Sequence, residues 1–125
     1  MRRHARSLIR VIVLLASVAV ILVLAMIWLR GEPFDRDRWR AAANDNEVRR
    51  IKMAEDLLRR HELIGRNKDE IVWLLGEPTA SDKFQNLCDD LYHLGPRRGL
   101  FPIDSEWLCL AFEEDRVSRA EIMSD

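Results

Sequence analysis

Apolar residues follow three rhythms along this chain of 125 residues. From Val11 to Leu29 they form one continuous stretch, VIVLLASVAVILVLAMIWL, with Arg10 before it and Arg30 after it. At 1.5 Å per residue this is a helix of about 28 Å, close to the roughly 30 Å hydrocarbon core of a bilayer. From Asn44 the rhythm becomes three-and-four. Val48, Ile51, Ala54, Leu57, Leu58 and His61 recur, with Arg49, Arg50, Glu55, Asp56 and Arg59 between them. That spacing predicts an amphipathic helix over roughly 44–63, with Asn44 or Asp45 at its start and Gly65 at its stop. A second helix should follow at once. Asn67 and Glu70 are spaced for a capping box, Ile71 to Leu75 are all apolar, and Gly76 and Pro78 end the run.

Beyond Pro78 the period falls to two. Thr79–Phe84 is expected as a weak first strand and 90–94 as a second. In 106–113 (EWLCLAFE) Leu108, Leu110 and Phe112 share one face, and Trp107, Cys109 and Ala111 the other. Glu113-Glu114-Asp115-Arg116 reads as a polar turn without the glycine a tight hairpin prefers, and 117–123 closes the sheet. The predicted fold class is therefore α+β: an N-terminal transmembrane helix, then two helices packed on a three- to four-stranded antiparallel sheet, whose other face is partly solvated. Ile51, Leu58, Ile71, Leu74, Leu75, Leu108, Leu110 and Phe112 are the expected core. The chain divides into a basic tail (1–10), the apolar helix (11–29), a juxtamembrane linker (30–43) and the α+β domain (44–125).

Thirteen of the nineteen positions in the apolar run are Leu, Ile or Val. At about −0.3 to −0.6 kcal/mol each they favour insertion by about 4–8 kcal/mol. A cleaved signal peptide usually has a shorter apolar core that ends in a small-x-small site. Here the one such pair, Val23 and Ala25, lies inside the run, so an uncleaved anchor is expected. Residues 1–30 carry five arginines and no acid. The four in the short tail place that tail in the cytoplasm, although the far flank also has Arg30, Arg36, Arg38 and Arg40 among acids. The domain then lies outside the cytoplasm, held at the inner membrane.

Beyond Arg30 there are fifteen Lys/Arg against twenty-one Asp/Glu. A net acidic domain argues against a nucleic-acid partner. The partners expected are the lipid bilayer, through Val11–Leu29, and a protein.

The stretch Gly65–Pro78, GRNKDEIVWLLGEP, resembles the Gly-x-[Thr/Ser/Asn]-x-x-[Asp/Glu]-[Val/Ile]-x-x-Leu-Leu-Gly-x-Pro motif of the SmpA/OmlA (BamE) family. Tyr92–Gly95, a strand ending in Phe112 and the charged turn after it fit the second half of that pattern. Arg50, Met53, Asp56-Leu57-Leu58 and the segment Tyr92–Leu108 are similar to membrane-anchored bacterial proteins of this class. The resemblance implies the fold of β-lactamase inhibitory protein and a role in scaffolding envelope complexes. Most members are lipoproteins; this chain has an apolar helix in place of a lipid-bearing cysteine.

Chemistry is sparse. If strands 90–94 and 106–112 pair, Cys109 falls opposite Tyr92, and Cys88 lies on the order of 13 Å along the strand. A bridge needs Cα atoms within about 7 Å, so the spacing disfavours a disulfide without deciding the point. His93 with Cys88, Asp89 and Asp90 alternates between two faces and does not converge on a metal. Asp104, Glu106, Glu113 and Glu114 read as solvated charges at strand ends, and His61 as a residue that ends a helix. No catalytic residue, cofactor or metal is expected. The long loop 95–105, GPRRGLFPIDS, is the expected protein-binding surface, through Arg97, Arg98, Leu100, Phe101 and Ile103. The alternative for its apolar residues is to fold back over a sheet edge. The function expected is a non-enzymatic, single-pass envelope interaction module. The alternatives are an inhibitor-like module that binds an enzyme, and a small thiol enzyme using Cys109 or His93.

Overall fold

The computed structural model describes residues 2–29, 31–44, 49–101 and 103–125. The chain divides into two compact units, with the boundary after Gly31. The first is one helix, α1 (Arg2–Leu29). Its segment Ala5–Leu29 contains an 18-residue window of mean hydropathy 3.1 and is long and apolar enough to cross a membrane. The residues expected as a separate tail thus continue the helix. Ser17 is accommodated because its hydroxyl donates to the Val13 carbonyl at 2.8 Å, one turn back.

Among the described residues the second unit contains three α-helices, a 3-10 turn at Ala42–Asn44 and a three-stranded antiparallel sheet. It begins where a linker was expected. Arg36–Ala41 forms a short helix, α2, started by Asp35, whose carboxylate accepts from the Arg38 N–H at 2.9 Å. Trp39 on α2 is 0% exposed. Its indole N–H donates to the Leu75 carbonyl at 2.9 Å, and its ring packs on Phe34 and Tyr92. Residues 32–44 are therefore part of the folded domain, and Trp39 is a core residue.

Helix α3 (Arg49–Arg59) is shorter than predicted. The proposed cap Asp45 and the first apolar position Val48 lie outside the described residues. The helix ends early because His61 takes the left-handed conformation (φ 55°) and its N–H donates to the Leu58 carbonyl. Gly65, expected as the stop, instead donates its N–H to the Val117 carbonyl at 2.8 Å. Helix α4 (Lys68–Leu75) forms as predicted. Asn67 and Glu70 make the reciprocal capping box, and Gly76 (φ 84°) supplies the positive φ that ends it. The Tyr92 hydroxyl donates to the Gly76 carbonyl at 2.9 Å and ties this stop to the sheet.

The strands are β1 (Asp90–Pro96), β2 (Ser105–Glu113) and β3 (Arg116–Ser124), in the order β1-β2-β3. Leu108 and Leu110 face the helices and join Trp39, Ile51, Leu57, Ile71, Leu74, Leu75 and Tyr92 in the main core. Leu58 and Phe112 pack at its margin, half-buried. The turn between β2 and β3 places Glu114 (φ 50°) and Asp115 (φ 62°) both in the left-handed region, the geometry of a two-residue type I′ hairpin without glycine.

The sheet's other face is partly solvated, as expected: it is covered over β1 and β2, while on β3 Arg119 is exposed and Glu121 about half-exposed. Leu91, Trp107 and Cys109 form a second small cluster, with Phe84, Cys88 and Met123 packed against it. The cover is the segment 79–89, which is not a strand. Phe84 turns through φ 55°, and the Cys88 N–H donates back to the Phe84 carbonyl at 2.9 Å. This turn carries Cys88 over the sheet to Cys109, and the two form a disulfide with a Cα–Cα separation of 5.4 Å. The expectation that they lie too far apart is overturned. Extrapolating β1 backwards as extended chain gave too long a distance, and Cys109 pairs with Leu91 rather than Tyr92.

Candidate functional site

The loop between β1 and β2 is built from its base outwards. The Arg97 N–H donates to the Asp104 carbonyl at 2.7 Å, and the two side chains form an ion pair at 3.4 Å. Arg98 bridges two carboxylates, Glu106 at 3.2 Å and Glu55 on α3. These two carboxylates hold its guanidinium above its ordinary pKa; burial works in the opposite direction and is outweighed. Glu106 is buried, so this charge requires the pairing it has.

Above this clamp the chain exposes apolar side chains. Leu100 is 93% exposed, Phe101 80% and Ile103 87%. The Ile103 N–H donates to the Phe101 carbonyl at 2.9 Å, which holds the tip in a tight bend. The apolar residues do not fold back on the sheet. Of the five residues predicted for the contact surface, the structure places Leu100, Phe101 and Ile103 together as a bare tip. It turns Arg97 and Arg98 down into the base, where they position the tip. Other exposed apolar residues in this unit are less bare: Ile64, Trp73 and Leu87 are each about half-exposed, and the Arg36 guanidinium lies over the Trp73 ring at 4.1 Å.

The remaining candidates serve the fold. His93 packs edge-on against Trp107 with ring centroids 4.9 Å apart, and its backbone N–H donates to the Thr79 hydroxyl at 3.0 Å. Burial, then the charges of Arg50 and Lys83, lower its pKa. Asp89 accepts from the Phe112 N–H at 2.7 Å, and Asp90 pairs with Lys68 at 3.1 Å. Asp104 pairs with Arg97 and Glu106 with Arg98, whereas Glu113 and Glu114 lie at the exposed β2–β3 turn. Among the described residues no group of three or more His, Cys, Asp or Glu is arranged to hold a metal ion. With both sulfurs in the disulfide, Cys109 presents no thiolate. The surface depression beside the bridge, about 570 Å³, is lined by Thr79, Ser81, Lys83, Gln85 and Asp89 among others.

Sequence reasoning missed the Arg50 arrangement. Arg50 is 6% exposed, lies over the Trp39 ring at 4.2 Å and donates to the His93 carbonyl at 2.9 Å. Burial lowers its pKa to about 10, still well above neutrality, so it stays charged. Its position before the apolar Ile51 is shared by surface arginines; the one signal was its place at the head of the Arg50, Met53, Asp56 pattern, which says nothing of burial.

Family models, curated proteins and solved structures were all compared with the chain, and none matches.

Proposed function

We propose that this chain is a single-pass, membrane-anchored, non-enzymatic interaction module of the bacterial cell envelope. Its contact surface is the β1–β2 hairpin tip. One observation carries the reading: three large apolar side chains are presented to solvent on a loop whose charged residues are all engaged at its base. A loop that exposes apolar area while internally neutralising its charges is built to meet another surface. The apolar helix α1 supports anchoring at the inner membrane. The arginine-rich tail and the Cys88–Cys109 bridge support a domain outside the cytoplasm, since disulfides persist in oxidising compartments. The sequence resemblance to the SmpA/OmlA (BamE) family agrees with a non-catalytic, scaffold-like role at the envelope.

The test is site-specific photo-crosslinking in the full chain in its native membrane. A photoreactive residue in place of Phe101 should give adducts, and one in place of Glu114 at the opposite end of the sheet should not. Equal labelling from the two positions, or none from Phe101, overturns the reading.

A further inference from the structure

Resting on the reading of the hairpin tip as a contact surface, we infer that its occupant is the interfacial layer of a lipid bilayer. Leu100, Phe101 and Ile103 insert there as a second, reversible foothold beside the apolar helix.

Three observations on the domain carry this. The first is size. A stable protein–protein contact needs roughly 800 Å² from each partner. A tip of three side chains falls well short, because an aromatic residue buries only about 150–250 Å² and an aliphatic one less. A bilayer asks only for apolar area, with no matching rim.

The second is charge. Arg97 pairs with Asp104, and Arg98 with Glu55 and Glu106, so no charge at the hairpin base is left to be desolvated alone. Protein interfaces take their specificity from polar groups at the rim, and here those groups are already satisfied within the domain.

The third is reach. The Phe34 N–H donates to the Asp56 carboxylate at 2.9 Å, and Arg98 pairs with the neighbouring Glu55. The start of the folded domain and the hairpin base are thus held by adjacent residues of α3. Five residues of chain lead from Leu29, the last residue of the apolar helix, to Phe34, a span of about 18 Å at most. From Arg98 the chain needs only three more residues to reach Phe101, on the order of 10 Å. A chain whose apolar helix is in a bilayer therefore tethers the domain that carries this tip to the same membrane, which raises its effective concentration there. Because each of these loop charges is already paired, insertion depends little on the sign of the lipid headgroups.

The experiment uses the full chain, disulfide intact, reconstituted into phosphatidylcholine vesicles. Phe101→Cys carries an environment-sensitive dye in one preparation and Glu114→Cys in another, with Leu100→Cys as a second tip position. Both tip dyes should emit at shorter wavelength than the Glu114 dye. They should be quenched several-fold more by nitroxide-bearing lipid and be shielded from aqueous iodide. Adding phosphatidylglycerol should leave the result unchanged. Tip dyes that behave like the Glu114 dye in pure lipid overturn the inference. If those dyes are nevertheless shielded in native membranes, a protein is the occupant, and the contact reading survives without the lipid one. If they are open to iodide in both settings, both readings fall.

Discussion

The backbone N–H of Phe34 donates to Oδ2 of Asp56 at 2.9 Å, across 22 residues of sequence. Asp56 is 1% exposed and also pairs with Arg59 and with Arg60. This single carboxylate fastens the first residues of the domain to α3 and keeps Trp39 in place beneath them. Asp56→Ala should destabilise the domain by about 2–3 kcal/mol, the usual loss for a buried charged acceptor. Asp56→Asn keeps an acceptor for Phe34 and should lose less. Urea unfolding followed by tryptophan fluorescence separates the two.

Acid should weaken the domain in two stages. The His93 pKa is lowered in the folded protein by burial and by the charges of Arg50 and Lys83. The unfolded chain then takes up a proton near the ordinary value of 6.5 before the folded one does. Stability from His93 is complete above pH 6.5 and declines as pH falls through the lower native value. For Asp56, burial raises the pKa, but the Phe34 N–H, Arg59 and Arg60 outweigh it, so the net direction is down. Its contribution is complete above pH 3.8 and is lost below. Unfolding midpoints from pH 8 to 3 should show both declines, with His93→Gln removing the upper one and Asp56→Asn the lower.

The disulfide closes a loop with a sequence separation of 21. By chain entropy such a bridge stabilises the folded state by about 3 kcal/mol. The double variant Cys88→Ser, Cys109→Ser should unfold at correspondingly lower denaturant, and reductant should then have no further effect on it. A variant as stable as the parent would show that the segment 79–89 is held on the sheet by its hydrogen bonds and the packing of Phe84.

The β2–β3 turn offers a gain in stability. Glu114 and Asp115 both hold positive φ, which asparagine and glycine adopt at less cost. Glu114→Asn with Asp115→Gly should stabilise the domain by about 1 kcal/mol. Thermal unfolding would report the gain as a rise of several degrees.

Local rules made much of this fold legible. Asn67, Glu70 and Gly76 announce α4 because a capping box and a glycine stop act within a few residues. The alternation in 106–113 sorted Leu108 and Leu110 from Trp107 and Cys109 correctly, because the pleat fixes faces at period two. The failures were non-local. The sequence RDRWRA reads as a linker whose Trp39 either lies at the membrane interface or packs on the core or the anchor, and only the distant Leu75 carbonyl and Tyr92 ring decide for the core. Cys88 was misplaced because Phe84 adopts a positive φ that phenylalanine does not advertise. At the candidate site, the five loop residues were legible as candidates, although their chemistry left open whether the apolar three fold back or project. Their division into clamp and tip was not, because it depends on Glu55, more than forty residues away.

The hairpin tip lies between the two bridged cysteines in the chain, and this decides how the molecule fails. A protease that recognises Arg97 or Arg98 and severs the backbone there leaves two fragments still joined through sulfur. β1 and β2 also remain paired along their ladder. The nicked domain would migrate as one species until a reductant parted the halves. Damage to its most exposed stretch is thus contained rather than propagated.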